Sequence, residues 1–171
     1  QSCQEYLKIF AKDKRVIILG GGDTGVDCIG TSLRQGAKEI VTFEILPPPP
    51  ASRASYNPWP EWPRVWRVDY GHEEVAQRFG RDPRTFNIMS KSFLGDAEGN
   101  LTGINTIQVE WTRDDAGRWS MKELPGTEKL YECDIVFLAM GFLGPEKAII
   151  DELQLQQDLR SNISTDNGKY A

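Results

Sequence analysis

The run Arg15-Val16-Ile17-Ile18-Leu19-Gly20-Gly21-Gly22-Asp23-Thr24-Gly25 limits what this chain can fold into more than any other feature. Its apolar first half reads as a strand buried on both faces. The glycines stop that strand, and Asp23 and Thr24 follow with side chains suited to capping a helix. Val26, Ile29, Gly30 and Leu33 then fall on one helical face, which closes near Gly36. Residues 39–46 make a second strand-like run. Strand, helix and strand within about 30 residues form a β-α-β unit, in which a parallel pair and a right-handed crossover are expected.

Gly20, Gly22 and Gly25 fit the pattern G-x-G-x-x-G, and they do so between a strand and a helix, where the pattern has a mechanism. The first glycine permits the tight turn, the second lets a pyrophosphate approach the backbone, and the third lets helix and strand pack closely. Backbone N–H groups at the helix start then hold phosphate, with Asp23 and Thr24 beside them. An acidic residue is expected at the end of the second strand, and Glu44 lies 19 residues after Gly25. A carboxylate there accepts from the adenosine ribose hydroxyls of NADH and repels the 2′-phosphate of NADPH. The next basic residue is Arg53, which favours NADH. Two counter-readings stand beside this: Arg53 folds back as a phosphate reader, or Glu44 points into the core.

The rest of the chain supplies a second architecture. Residues 47–63 hold four consecutive prolines (Pro47 to Pro50), then Pro58, Pro60 and Pro63 with Trp59 and Trp62. This reads as a rigid loop whose tryptophans pack on the domain, with a polyproline ligand as the alternative. Residues 72–80 read as a short helix. Three strand-like runs follow, at 85–94, 101–112 and 118–124, separated by Gly- and Asp-rich turns. A further apolar run within 131–140 reads as a central parallel strand, and Pro145 opens a helix through Leu153. The predicted fold class is α/β, a Rossmann-like parallel sheet with an antiparallel three-stranded meander as an insertion. The predicted organisation is a linker or lead-in helix over 1–14, a dinucleotide-binding domain over 15–153 and an exit segment over 154–171. The non-Met start and the polar end read as a piece of a longer protein.

Other candidate residues read as structural. Asp23 is expected to cap the helix with Thr24, and Asp27 to bond within its first turn; catalysis is the alternative for both. Cys28 sits near a helix start that could stabilise a thiolate, but reads as a small core residue. His72 is the only histidine, with no nucleophile motif nearby. Arg64, Arg67, Arg78, Arg81 and Arg84 are balanced by Glu61, Asp69, Glu73, Glu74 and Asp82, a solvated or interdomain surface. The formal charge of −5 disfavours nucleic acid as a partner. No stretch approaches the roughly 18 apolar residues of a membrane span. Three scattered cysteines and one histidine make no metal pattern or disulfide framework, so no metal ligand is assigned and a reducing compartment is expected.

The combination of glycine turn, antiparallel insertion and closing strand resembles the NAD(P)H-binding domain of two-dinucleotide flavoprotein reductases. Closer up, Gly20-Gly21-Gly22-Asp23-Thr24-Gly25-Val26-Asp27-Cys28-Ile29-Gly30-Thr31-Ser32 and Asn57-Pro58-Trp59-Pro60-Glu61-Trp62-Pro63-Arg64 look like glutamate synthase. So do Val68-Asp69-Tyr70-Gly71-His72-Glu73-Glu74 and Ala139-Met140-Gly141-Phe142-Leu143-Gly144-Pro145-Glu146. The similarity is to the small subunit or to the C-terminal region of the single-chain form, and it covers nearly all of the sequence. The resemblance implies an oxidoreductase domain that takes NADH or NADPH and passes hydride to FAD on a neighbouring domain of the same chain. Iron–sulfur clusters and FMN then serve a glutamate-synthesising large subunit or domain, where glutamine and 2-oxoglutarate become glutamate.

By position, the resemblance implies that Gly20, Gly22, Asp23, Thr24 and Gly25 hold the pyrophosphate, that Glu44 faces the ribose, and that Gly141 lies near the nicotinamide or the FAD. NADPH-using members often carry two arginines just after the second strand, and Leu46 and Pro47 stand there instead. The chain shows one dinucleotide fingerprint, no iron–sulfur cysteine cluster and no amidotransferase nucleophile, so alone it is expected to be inactive and no catalytic residue is assigned. The implied location is the cytoplasm or, in a eukaryote, a plastid or mitochondrial interior, and not the secreted space. Two alternatives stay open: the same domain in another FAD and iron–sulfur reductase, and a non-catalytic dinucleotide-binding module.

Overall fold

The computed structural model describes residues 9–114, 117–159 and 161–165. The chain divides into two compact units, Gln1–Met140 and Gly141–Ala171. The first unit begins with β1 (Arg15–Leu19), α1 (Asp23–Arg34) and β2 (Glu39–Glu44). β1 and β2 are parallel, with Arg15 opposite Glu39 and Leu19 opposite Phe43. β2 stops two residues before the expected 46 because its next carbonyls turn away. Ile45 accepts from Trp111 Nε1 at 2.7 Å, and Leu46 accepts from the Asn87 N–H at 3.2 Å.

After the proline loop come α2 (Tyr70–Phe79), β3 (Arg84–Phe86), β4 (Ile88–Gly95), β5 (Leu101–Arg113), β6 (Trp119–Glu123), β7 (Lys129–Glu132) and β8 (Ile135–Leu138). The run expected as one strand over 85–94 serves two sheets. It is cut at Asn87, whose φ of 57° is a left-handed conformation that asparagine tolerates. Before the cut, β3 lies parallel to β2; after it, β4 lies antiparallel to β5. The apolar run within 131–140 forms β8, and just before it the meander carries a fourth strand that was not expected, β7, on β5. β8 returns to the parallel sheet, whose order is β3-β2-β1-β8. Among the described residues β8 is therefore an edge strand and not a central one.

Alternation along β1 explains the layering. Val16 and Ile18 face a core with Ile29 of α1, Ile40 of β2 and Val75 of α2. Ile17 and Leu19 point the other way, into a core with Phe43, Ile88 and Ile104. Successive strand side chains point to opposite faces, so helices cover one face of the parallel sheet and the antiparallel strands the other. That double covering is why β1 reads as a continuous apolar run.

The loop over 47–63 is organised by Asn57, which is buried. Its Nδ2 donates to Glu61 Oε2 at 3.1 Å and to the Trp62 carbonyl at 3.0 Å, and its Oδ1 accepts from the Arg64 N–H at 2.8 Å. The expectation that the tryptophans pack inward is corrected: Trp59 is 83% and Trp62 75% exposed. Trp66, just beyond, is the one that packs, on Phe86 and under the Arg84 guanidinium. No helix forms over 9–14, and residues 1–8 of the expected lead-in helix lie outside the described residues. The second unit contains α3 (Lys147–Glu152), beginning two residues after Pro145, and an antiparallel bridge between Gln157 and Ile163.

Candidate functional site

The sheet order reverses at β1. The chain moves outward from β1 to β2 and β3, then crosses back to place β8 on the other side of β1. In open α/β sheets, ligands bind at the carboxyl ends of the strands at such a switch point. The glycine turn leaves β1 at this end, beside the residues that follow β8.

The structure shows why these positions lack side chains. A Cβ on Gly20 would overlap the Ala139 carbonyl, with its carbon 2.9 Å away, and Gly20 has φ of 108°. A Cβ on Gly25 would overlap the Gly20 carbonyl oxygen, so α1 packs against the turn only without one. Gly22 differs: among the described residues, a Cβ there would meet nothing within 4 Å. The protein therefore does not need a glycine at 22 for its own packing. A bare backbone at this point leaves room for a group from outside.

Gly22 also occupies the N-cap of α1, and no side chain caps that end. The expected cap by Asp23 and Thr24 is thus corrected: both sit inside the first turn and are exposed, one step too late to bond back. Helix starts leave N–H groups unsatisfied and carry a partial positive charge, which suits an anion such as a phosphate.

Glu44, at the end of β2, reaches the same turn. Its carboxylate rests against Gly21, where a Cβ would stand 2.6 Å from Oε2 and overlap Oε1. Burial pushes the Glu44 carboxyl above its ordinary pKa, and the charge of Arg84 pulls it back down. Among the described residues, no hydrogen bond or ion pair occupies its oxygens. The alternative of a core-facing Glu44 does not hold, since the side chain lies on the turn with acceptors open. An uncapped helix start, a bare N-cap and a free carboxylate together fit a dinucleotide.

Arg84 carried no signal as a site neighbour, because it lies 40 residues beyond Glu44 and pairing of β3 with β2 brings it close. It is not part of a solvated surface either, as its side chain is 6% exposed. Asp82 accepts from its Nε at 2.9 Å and its Nη2 at 2.7 Å, the Arg67 carbonyl accepts from Nη1, and Trp66 lies 4.0 Å beneath it. Arg53 is committed elsewhere: its Nη1 donates to the Asn57 and Glu61 carbonyls, both at 2.9 Å, inside the loop. Gly141 is exposed, with φ of 85°, at the start of the second unit.

The remaining candidates resolve as structural. Asp27 bonds not within its own turn but across to α2, where its Oδ1 accepts from Tyr70 Oη at 2.5 Å. Burial, and then Asp27, push the Cys28 thiol up, opposite to what a reactive thiolate needs. His72 is buried as the third residue of α2 and accepts the Asp69 N–H on Nδ1 at 3.1 Å, half of a capping box. That bond puts the ring proton on Nε2, which has no partner among the described residues. Among the described residues no cluster of His, Cys, Asp and Glu could hold a metal, and no helix is long and apolar enough to cross a membrane.

A cleft of about 390 Å³ lined by Glu39, Val41, Arg81, Pro83 and Tyr131 opens at the amino-terminal end of β2. It lies at the wrong end of the sheet for switch-point chemistry, so the glycine turn is the stronger site.

No family model matches the chain. Over 162 residues, 95% of its length, it is 52% identical to the glutamate synthase (NADH) of Schizosaccharomyces pombe, of which it covers 8%. It is 41% identical, again over 95% of its length, to the small chain of glutamate synthase (NADPH) from Bacillus subtilis, of which it covers 33%. The chain thus spans a third or less of these curated relatives. A solved structure of FprA from Mycobacterium tuberculosis in complex with NADPH matches 93% of the chain at a TM-score of 0.58, covering 46% of that protein. Their identity is 13%, so this likeness is one of fold.

Proposed function

From homology to one region of glutamate synthase, we propose that this chain is the NAD(P)H-binding, electron-input domain of such an enzyme. The observation that carries the reading is the turn at the β1–β8 switch point, bare at Gly22 and flanked by the open carboxylate of Glu44. Backbone groups of Gly20, Gly22, Asp23, Thr24 and Gly25 bind the pyrophosphate. Glu44 accepts from the adenosine ribose hydroxyls. Gly141 belongs near the nicotinamide, and Arg53 supports the loop and not a 2′-phosphate.

When bound, the dinucleotide supplies a hydride; the chain supplies position and needs no acid, base or nucleophile of its own. The acceptor is FAD on a neighbouring domain of the same chain, to which residues 154–171 lead from the domain over 15–153. Iron–sulfur clusters, FMN and the glutamate-forming centre belong to the rest of the parent protein, in the cytoplasm or an organelle interior. The preferred donor is NADH, because a carboxylate beside the ribose repels a doubly charged phosphate. The higher identity to an NADH-type relative supports the same choice.

Anaerobic stopped-flow reduction of the full-length flavoprotein tests this. NADH is expected to bleach the flavin, and Gly22→Val to slow bleaching at least about a hundredfold while the melting temperature holds, since the new side chain fills only the ligand's space. Unchanged bleaching in Gly22→Val would overturn the assignment of the turn.

A further inference from the structure

The fingerprint gives tasks to Gly20, Gly22 and Gly25 and leaves Gly21 with none. Gly21 is also not needed for its backbone. In this turn only Gly20 has a positive φ, so an L residue at 21 is conformationally free. What a side chain there meets first is Glu44. The three heavy atoms nearest to a Cβ on Gly21 are Oε1, Cδ and Oε2 of Glu44.

We infer that Gly21 is the positioning residue that seats the Glu44 carboxylate, and that this contact sets the preference for NADH over NADPH. The inference rests on the proposed role of the turn as a dinucleotide site. Glu44 is a flexible side chain on the last residue of β2, and nothing else among the described residues fixes its carboxylate. Arg84, whose charge acts on Glu44, is bound to Asp82 by two parallel hydrogen bonds and stacked on Trp66, so it attracts Glu44 without holding it. The flat surface of Gly21 is therefore what the carboxylate lies on. A methyl group at 21 cannot push the backbone aside at low cost, but it can push the carboxylate, because the overlapped atoms are the far end of a mobile side chain. Displacement carries the two acceptor oxygens off the turn. A ribose diol then loses its acceptors, and a 2′-phosphate meets a negative charge that has moved away.

The test is a double-mutant cycle on the full-length protein: wild type, Gly21→Ala, Glu44→Ala and the pair, with NADH and NADPH compared as donors to the flavin. Gly21→Ala is expected to lower the NADH/NADPH preference in kcat/KM by about fivefold or more, through the KM for NADH and not the limiting rate of flavin reduction. In the Glu44→Ala background the same change is expected to alter neither the preference nor the melting temperature, because the overlapped atoms are gone. A preference unchanged by Gly21→Ala but lowered by Glu44→Ala would overturn the positioning role alone. A preference unchanged by Glu44→Ala would remove Glu44 from the ribose, and the inference with it. If Gly21→Ala proves too unstable to assay, Glu44→Ala and the pair still decide. Equal stability and equal preference support the inference, and a further fall in either overturns it.

Discussion

The glycine turn and the proline–tryptophan loop lie on either side of β2, and they hold their shapes by opposite means. The turn is built by leaving side chains out. Gly20 and Gly25 let backbone lie on backbone, and adding one carbon would drive atoms into a carbonyl. The loop is built by putting side chains in. Asn57 and Arg53 tie carbonyls and amides that have no strand or helix to satisfy them. Buried backbone groups must find partners, so a segment without regular structure recruits polar side chains. The difference teaches that a short motif can specify a turn, whereas a loop of this kind needs residues spread along its whole length.

The sharpest break in this comparison lies within the turn itself. Gly20→Ala is expected to cost about 4 kcal/mol or more in denaturant unfolding, because positive φ and backbone overlap act together. Gly22→Ala, two residues away, is expected to change stability by less than about 1 kcal/mol and yet weaken NADH binding about tenfold. If both variants lose stability alike, the turn is a packing device and nothing more.

Asn57→Ala is the corresponding break in the loop. Three hydrogen bonds go at once, and about 2–3 kcal/mol of stability with them. Fluorescence of the exposed Trp59 and Trp62 is expected to change in the native state while NADH binding stays, if the two regions are as independent as their construction implies.

A side-chain clamp also closes the end of β1 away from the turn. Arg15 donates to both oxygens of Asp134, at 3.3 Å to Oδ2 and 3.1 Å to Oδ1, and its backbone N–H adds a third bond at 2.7 Å. These bonds hold the Asp134 carboxyl at about 2. Because the folded value lies below the unfolded one, the stability it contributes is complete above about pH 4 and is lost as pH falls toward about 2. Asp134→Asn is expected to cost about 2 kcal/mol at neutral pH and to flatten that acid limb in urea titrations at stepped pH.

The smallest expected effect is at His72. Burial, and then the charge of Arg84, lower its pKa, so the native state holds the ring neutral. The unfolded chain binds a proton first as pH falls below about 6.5, and stability declines below that pH. His72→Gln keeps an acceptor for the capping box and is expected to abolish that slope; a slope that survives assigns it to another group.

Much of the parallel half was legible in the sequence, because its signals are local. β1 matched its apolar run residue for residue, and α1 began at the first residue after the glycines. The antiparallel half was less so. Asn87 gave no warning that it would divide one apolar run between two sheets, since a left-handed asparagine looks like any other. β7, whose four residues Lys129–Glu132 include two charged ones, gave no strand signal of its own. At the site, the glycines and Glu44 were visible as motif positions, but the work of Gly21 was not, because its neighbour lies 23 positions along the chain. The burial of Arg84 and the inward role of Asn57 were equally hidden, as each depends on partners from other elements.

By itself the order of residues determined that a buried strand would run into a glycine turn and a helix, since strand burial, turn geometry and helix initiation are decided within a few residues of each other. Only the tertiary structure decided which strands flank β1, where the Glu44 carboxylate rests and which arginine its charge feels. Those outcomes depend on strand pairing between distant segments, and pairing is chosen by the whole core at once.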